Sequence, residues 1–179
     1  MAQESFRPWV GEHYDETKLL LLGAWWDENN QRRNPSLDLP KKMVKEVLND
    51  FASSNRFMKM LSRGLVGEEE PSKELLRRVW HRVAFTYYVG ETKSDFCSNI
   101  LNKLRPWRII VIGRTLWSKM PNADVYMTDD VQGYLFDEDR SVAVCLAHPY
   151  PGWARLADTI HFALGRELPR SGRCPVDGE

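Results

Sequence analysis

The stretch RIIVIG at residues 108–113 is the clearest buried strand in the sequence. Four β-branched apolar residues followed by a glycine are typical of a strand that is buried on both faces of a sheet. Comparable apolar runs occur at residues 18–23, 83–89 and 142–147. Segments with helical spacing separate the four runs. The alternation predicts an α/β fold, a three-layer sandwich whose central four-stranded parallel sheet is flanked by helices.

The segments between these strands complete the predicted organisation. Helices are expected over residues 39–51, 57–65, 72–82, 94–104, 114–120 and 153–164. Ser72 follows a polar break and is a good N-cap for the third of them. Residues 124–127 and 133–136 predict two small strands joined by a turn. We find neither a repeat nor a linker, and expect a single domain over residues 1–168 followed by a flexible tail, 169–179.

The composition indicates an ordinary globular protein of 179 residues, with 42% hydrophobic and 28% charged residues. Apolar runs are too short to span a bilayer, and the N-terminus lacks the apolar core of a signal peptide. Three cysteines without CxxC spacing indicate a reducing compartment and argue against a structural zinc or iron–sulfur site. We therefore expect a cytoplasmic protein, a monomer, with no metal and no cofactor. Because the net charge is zero, nucleic-acid binding would need a local basic patch.

The loop AHPYPGW at residues 147–153 follows the last predicted strand. Ligands of open α/β sheets bind outside the carboxyl ends of the strands, where His148 is expected. Its neighbouring prolines stiffen the turn. A rigid loop can hold an imidazole donor against developing negative charge. The alternative is a loop histidine that caps backbone groups.

Two arginines stand at predicted helix starts near the same strand ends. Arg114 follows the glycine that ends the RIIVIG strand, and Arg155 lies near the start of the last helix. Helix N-termini bind phosphate through their backbone N–H groups and dipole. Arg114 and Arg155 are therefore candidates for phosphate binding. The alternative is that both are ordinary surface arginines.

Four segments, in this order, resemble the uracil-DNA glycosylase superfamily: KLLLLGAWW (18–26), VWHRVAFTYYV (79–89), RIIVIGRTLWSKMP (108–121) and AHPYPGW (147–153). The resemblance is closest to small bacterial members and covers residues 8–164. Its specificity comes from the order and spacing of the segments. It implies a four-stranded parallel sheet between helices. It also implies hydrolysis of the bond between base and deoxyribose after the nucleotide is flipped into a pocket.

The resemblance assigns roles to several residues. His148 takes the place of the histidine that stabilises the anion of the departing base. Gly23 matches the glycine at the end of the first strand. Ala24 and Trp25 stand where the family usually has an acidic or amide residue. The nearest carboxylates follow, and Asp27 is the candidate for orienting the attacking water. The alternative is that Asp27 is a solvated loop or cap residue.

Aromatic residues replace polar ones at two further positions of the family motifs. Tyr87 stands where an asparagine reads the pyrimidine, and Tyr150 stands in place of a serine. With Trp25 and Trp26 they offer more aromatic surface than uracil needs, although core packing is the alternative for the tryptophans. The resemblance thus implies a glycosylase that acts on DNA carrying a modified base, with Arg114 and Arg155 as candidates for binding DNA phosphates.

The sequence also suggests a specific substrate and leaves three alternative functions open. A concrete substrate is glucosylated hydroxymethylcytosine of phage DNA, whose excision would serve antiviral defence. One alternative is conventional repair of uracil or another deaminated base. The other is a non-catalytic relative that binds DNA without cleaving it. A flavodoxin-like nucleotide-binding module is more distant, because Ala24-Trp25-Trp26 makes a poor phosphate loop.

Overall fold

The computed structural model describes residues 6–24, 36–88, 92–136, 139–146, 154 and 157–160. The strands, in chain order, are β1 (Trp9–Val10), β2 (Leu19–Ala24), β3 (Val83–Tyr88), β4 (Arg108–Ile112), β5 (Val125–Thr128), β6 (Val131–Phe136) and β7 (Asp139–Leu146). The helices are α1 (Tyr14–Thr17), α2 (Leu39–Asn49), α3 (Arg56–Val66), α4 (Lys73–Trp80), α5 (Lys93–Phe96), α6 (Asn102–Leu104) and α7 (Arg114–Trp117). A π-helical turn, Cys97–Leu101, joins α5 to α6.

The sheet is mixed and has seven strands in the order β1-β3-β2-β4-β7-β6-β5. The prediction of a four-stranded parallel sheet is therefore wrong, although the α/β class is confirmed. The four central strands β3, β2, β4 and β7 do run parallel, and Leu21 of β2 lies between Phe85 and Ile110. Antiparallel strands extend the sheet at both sides, β1 beside β3 and the β5–β6 hairpin beside β7.

Two apolar clusters pack on opposite faces of the sheet, because successive strand residues point to opposite sides. Leu19 and Leu21 of β2 belong to the first cluster, which α2, α3 and α4 cover. Leu20 and Leu22 belong to the second, which receives Phe96 of α5 and side chains of the π-helical turn and α7. The chain thus has helices on both faces of its sheet.

Local sequence signals predict the start of α4 correctly, but two other elements differ from their predictions. Helix α4 begins after Ser72, whose hydroxyl oxygen accepts a hydrogen bond from the Leu75 N–H at 3.2 Å, so the predicted N-cap is confirmed. The helix expected over residues 94–104 is not a regular α-helix throughout, because the π-helical turn lies between α5 and α6. Strand β7 starts at Asp139, three residues earlier than predicted, because it continues from the β6 hairpin through the Phe136–Asp139 pair.

The direction of chain crossing reverses at β2. Helices α2, α3 and α4 connect β2 to β3 across the first face, whereas α5 and α6 connect β3 to β4 across the second. Strands β3 and β4 consequently lie on opposite sides of β2. Ligands of open α/β sheets bind outside the carboxyl ends of the strands at such a reversal. A ligand is therefore expected at the carboxyl ends of β2 and β4.

The sequence also led us to expect no membrane span, no metal site and a flexible C-terminal tail. No helix in the described ranges is long and apolar enough to cross a membrane. In the same ranges no group of three or more His, Cys, Asp or Glu side chains is placed to hold a metal ion. The predicted tail, residues 169–179, lies outside the described part of the chain.

Candidate functional site

The carboxyl edge of the sheet, formed by the ends of β3, β2, β4 and β7, is the candidate functional site. Gly23 near the end of β2 pairs with Tyr87 on one side and Ile112 on the other. Gly113 follows with φ of 107°, a backbone conformation that L side chains rarely adopt. This glycine lets β4 turn directly into α7, whose first residue is Arg114.

Gly23 and Tyr87, two of the predicted site residues, are in contact at this edge. A Cβ atom at position 23 would lie 3.3 Å from Cδ1 and Cε1 of the Tyr87 ring and 3.4 Å from Cζ of Phe57. The two approaches to Tyr87 are closer than ordinary van der Waals contacts between carbon atoms, whereas the approach to Phe57 is an ordinary contact. Because glycine has no Cβ atom, the Tyr87 ring can lie against Gly23 at the end of β2.

The Tyr87 side chain is enclosed mainly by the protein's own apolar residues, and only 7% of the residue is exposed. Its ring makes edge contacts with Phe6 and Phe85, at centroid distances of 5.6 and 5.1 Å. The hydroxyl group donates a hydrogen bond to Sδ of Met43 at 2.8 Å. Burial raises the pKa of Tyr87, so the phenol is neutral at physiological pH. These contacts support a packing role for the ring, and base reading by Tyr87 remains a prediction.

Arg114 forms a bidentate ion pair with Asp130, the residue that precedes β6. The Nη1–Oδ1 and Nη2–Oδ2 distances are 2.5 and 3.2 Å. The carbonyl of Asp130 also accepts a hydrogen bond from the N–H of Cys145, near the end of β7, at 2.8 Å. Burial raises the pKa of the Cys145 thiol, and the nearby Arg114 lowers it to a smaller extent. The guanidinium group is thus held near the carboxyl ends of β4 and β7, with its charge offset by a carboxylate.

Asp130 was not among the predicted site residues. It lies 16 positions from Arg114 in sequence and meets it only because the β5–β6 hairpin adds to the sheet beside β7. The sequence signal that was available is the Asp129-Asp130 pair between the two predicted small strands. Such a pair is typical of a turn and does not indicate its long-range partner.

We expect Arg114 and Asp130 to influence DNA binding in opposite directions. Arg114→Ala should weaken binding and flatten the log–log salt dependence by about one unit, because the phosphate contact predicted for Arg114 would be lost. Asp130→Asn should strengthen binding, because it frees the guanidinium group and removes a negative charge. Fluorescence anisotropy with a labelled DNA duplex at several salt concentrations measures both effects.

The matched control for this prediction is Arg105→Ala. Arg105 also forms a close ion pair, with Asp139 at 2.5 Å, but it precedes β4 and therefore lies toward the opposite edge of the sheet. Its removal should leave the salt slope unchanged. An unchanged slope for Arg114→Ala as well would make Arg114 an ordinary surface arginine.

The remaining predicted residues divide into two groups. Ala24 is the exposed last residue of β2 and pairs with Tyr88. The others lie outside the described residues: Trp25, Trp26, Asp27, His148, Tyr150 and Arg155. Of the predicted set, the structure thus brings together Gly23 and Tyr87, with Ala24 adjacent, and holds Arg114 at the end of β4.

Comparison with known proteins identifies no relative of this chain. No protein-family model matches it, and neither a curated protein nor a solved structure does. The resemblance to the uracil-DNA glycosylase superfamily therefore rests on the four sequence segments alone.

Proposed function

We propose that this protein is a DNA glycosylase that hydrolyses the N-glycosidic bond of a flipped-out, modified base and leaves an abasic site. One observation carries the proposal. Three of the four segments that resemble the superfamily contain β2, β3 and β4, and the fourth directly follows β7 in the sequence. The carboxyl ends of these four parallel strands lie along one edge of the sheet. The reversal of chain crossing between β2 and β4 marks this edge as the usual place for a ligand in such a fold.

The proposed chemistry needs two complementary groups at this edge. The transition state carries positive charge on the sugar and negative charge on the departing base. In the proposal His148 donates a hydrogen bond to the base anion, and Asp27 orients the attacking water on the sugar side. Both side chains belong to segments that directly follow parallel strands, β7 and β2 respectively. No metal or cofactor is required for this hydrolysis.

Tyr87 supports a preference for a modified base over uracil. A phenol lacks the paired donor and acceptor with which an asparagine side chain reads a pyrimidine edge. The single hydroxyl proton of Tyr87 is, moreover, already donated to Met43. Unpaired polar atoms of a buried uracil would cost about 1–3 kcal/mol each. Stacking on Trp25, Trp26 or Tyr150 would offset this loss for a larger adduct such as glucosylated hydroxymethylcytosine.

A panel of DNA substrates tests the proposal directly. Duplexes containing uracil or only ordinary bases, and phage DNA containing glucosylated hydroxymethylcytosine, are incubated with the protein and cleaved with alkali at abasic sites. We expect cleavage of the modified DNA in preference to the others. Cleavage of uracil DNA without cleavage of the modified DNA would instead establish conventional repair.

We expect Tyr87→Phe to keep both the fold and the substrate preference. The substitution retains the ring that packs against Gly23 and removes the hydroxyl group that donates to Met43, a change worth about 1 kcal/mol in stability. Thermal unfolding and the same substrate panel measure the two properties. Loss of excision by a stably folded Tyr87→Phe protein would show that the hydroxyl group contacts the base.

The second candidate function is DNA binding without catalysis. Ala24 favours it, because this residue brings a methyl group to a position where the family usually has an acidic or amide side chain. A non-catalytic relative would bind DNA with the salt dependence predicted above and cleave no member of the panel. Glycosylase activity on any member would exclude it.

A further inference from the structure

A pocket of about 390 Å³ opens between α7 and the β5–β6 hairpin. Its volume falls within the range of about 300–1,000 Å³ that is usual for small-molecule sites. The lining residues are Trp117, Tyr126, Thr128, Asp129 and Gln132. Tyr126 is 67% exposed, which is unusual for a large aromatic residue on a strand. The pocket is therefore aromatic in part and accessible to solvent.

Hydrogen bonds hold the walls of this pocket together. The indole Nε1 of Trp117 donates to the backbone carbonyl of Asp129 at 3.0 Å and thereby ties α7 to the hairpin turn. The hydroxyl oxygen of Thr128 accepts from the N–H of Asp130 at 3.3 Å. The pairing register shifts between Tyr126 and Thr128. Such bulges redirect side chains and are common beside functional sites.

Besides the hydroxyl groups of Tyr126 and Thr128, the pocket presents two acceptor groups, on Gln132 and Asp129. Tyr134 donates its hydroxyl proton to the carbonyl of Pro121 at 2.8 Å, so this hydroxyl must accept the hydrogen bond from Gln132 at 2.6 Å. The amide nitrogen of Gln132 therefore faces Tyr134, and its carboxamide oxygen is left as an acceptor. Within the part of the chain that the structure describes, no hydrogen bond or ion pair engages the carboxylate of Asp129.

We infer that this pocket binds an organic cation through an alkylammonium group. Tyr126 and Trp117 line the pocket, and aromatic rings attract cations through the negative potential of their faces. The Asp129 carboxylate supplies the opposite charge. The Gln132 oxygen can accept a hydrogen bond from a ligand N–H or, in choline, from the hydroxyl group. An anion would be repelled by Asp129, and a neutral apolar ligand would desolvate that carboxylate without compensation. The inference is independent of the proposed glycosylase activity.

Calorimetric titration of the whole protein with choline, the probe for this site, tests the inference. We expect choline to bind and its neutral analogue, in which a tert-butyl group replaces trimethylammonium, to bind at least about tenfold more weakly. Asp129→Asn should weaken choline binding by about tenfold while keeping the backbone carbonyl that Trp117 uses. Tyr126→Leu should have a similar effect, because it removes an exposed ring without disturbing the core.

The control variant is Leu135→Ala, which changes another exposed apolar residue of the same hairpin outside the pocket lining. It should bind choline as the unmodified protein does. Absence of choline binding, equal binding of the neutral analogue, or full binding by both pocket variants would each overturn the inference. Titrations with spermidine and with a capped lysine peptide then distinguish a free amine from a protein side chain. Binding of either one, lost in Asp129→Asn, supports the assignment.

Discussion

Replacing His148 with alanine should lower the rate of base excision by about 10²–10³-fold and change DNA affinity little. A hydrogen-bond donor directed at a developing anion in a site that excludes water contributes about 3–4 kcal/mol to transition-state stability. The donor acts on charge that exists only in the transition state, so ground-state binding is nearly unaffected. Single-turnover kinetics on the substrate identified by the DNA panel measures the excision rate.

The control for this prediction is His13→Ala. His13 is an exposed histidine that precedes α1 and makes no side-chain cap hydrogen bond. It lies toward the amino end of β2, away from the carboxyl edge. Excision should be unchanged in this variant. Equal excision rates for His148→Ala and the unmodified protein would remove His148 from the proposed mechanism.

Replacing Trp80 with alanine should lower the free energy of unfolding by about 3–5 kcal/mol. Trp80, the last residue of α4, is completely buried and packs edge-on against Phe85, with ring centroids 6.1 Å apart. Its indole N–H donates to the hydroxyl oxygen of Ser62 at 3.1 Å, so the substitution leaves both a cavity and a buried hydroxyl group without its donor. Equilibrium denaturation with urea measures the loss.

Trp107→Ala is the matched control for Trp80. Trp107 is 46% exposed and contacts the ammonium group of Lys18 at 5.7 Å from its ring centroid. Removing it should cost no more than about 1 kcal/mol. Ser62→Ala should cost about 1–3 kcal/mol, because the buried Trp80 N–H then lacks an acceptor. A Trp80→Ala protein as stable as Trp107→Ala would contradict the importance of this core contact.

Much of the central architecture could be predicted from the sequence. The apolar runs that become β2, β3, β4 and β7, and the Ser72 cap of α4, are local signals, because burial on both faces and end capping depend on neighbouring residues. The same signals predict α2 and α3 through helical spacing. By contrast, β1 was not predicted, because the two-residue strand Trp9–Val10 is too short to show any periodicity.

For the candidate site, the sequence singled out residues at strand ends but not their partners. The sequence predicted Tyr87 as an aromatic residue in place of the base-reading asparagine. Its contact with Gly23 arises because β2 and β3 are neighbours in the sheet. Arg114 was predicted as a basic residue at a helix start. Its neutralising partner Asp130 depends on where the hairpin docks.

Local sequence patterns therefore account for the α/β class, the four central strands and the positions of most helices in the described part of the chain. The seven-stranded sheet, the reversal of crossing direction at β2 and the Arg114–Asp130 pair become visible only in the folded protein. Hydrophobic periodicity indicates whether a residue is buried, but it does not indicate which residue it packs against. Strand order and hairpin docking depend on long-range pairing across the whole sheet, and that pairing alone brings the α7 and hairpin side chains together around their pocket.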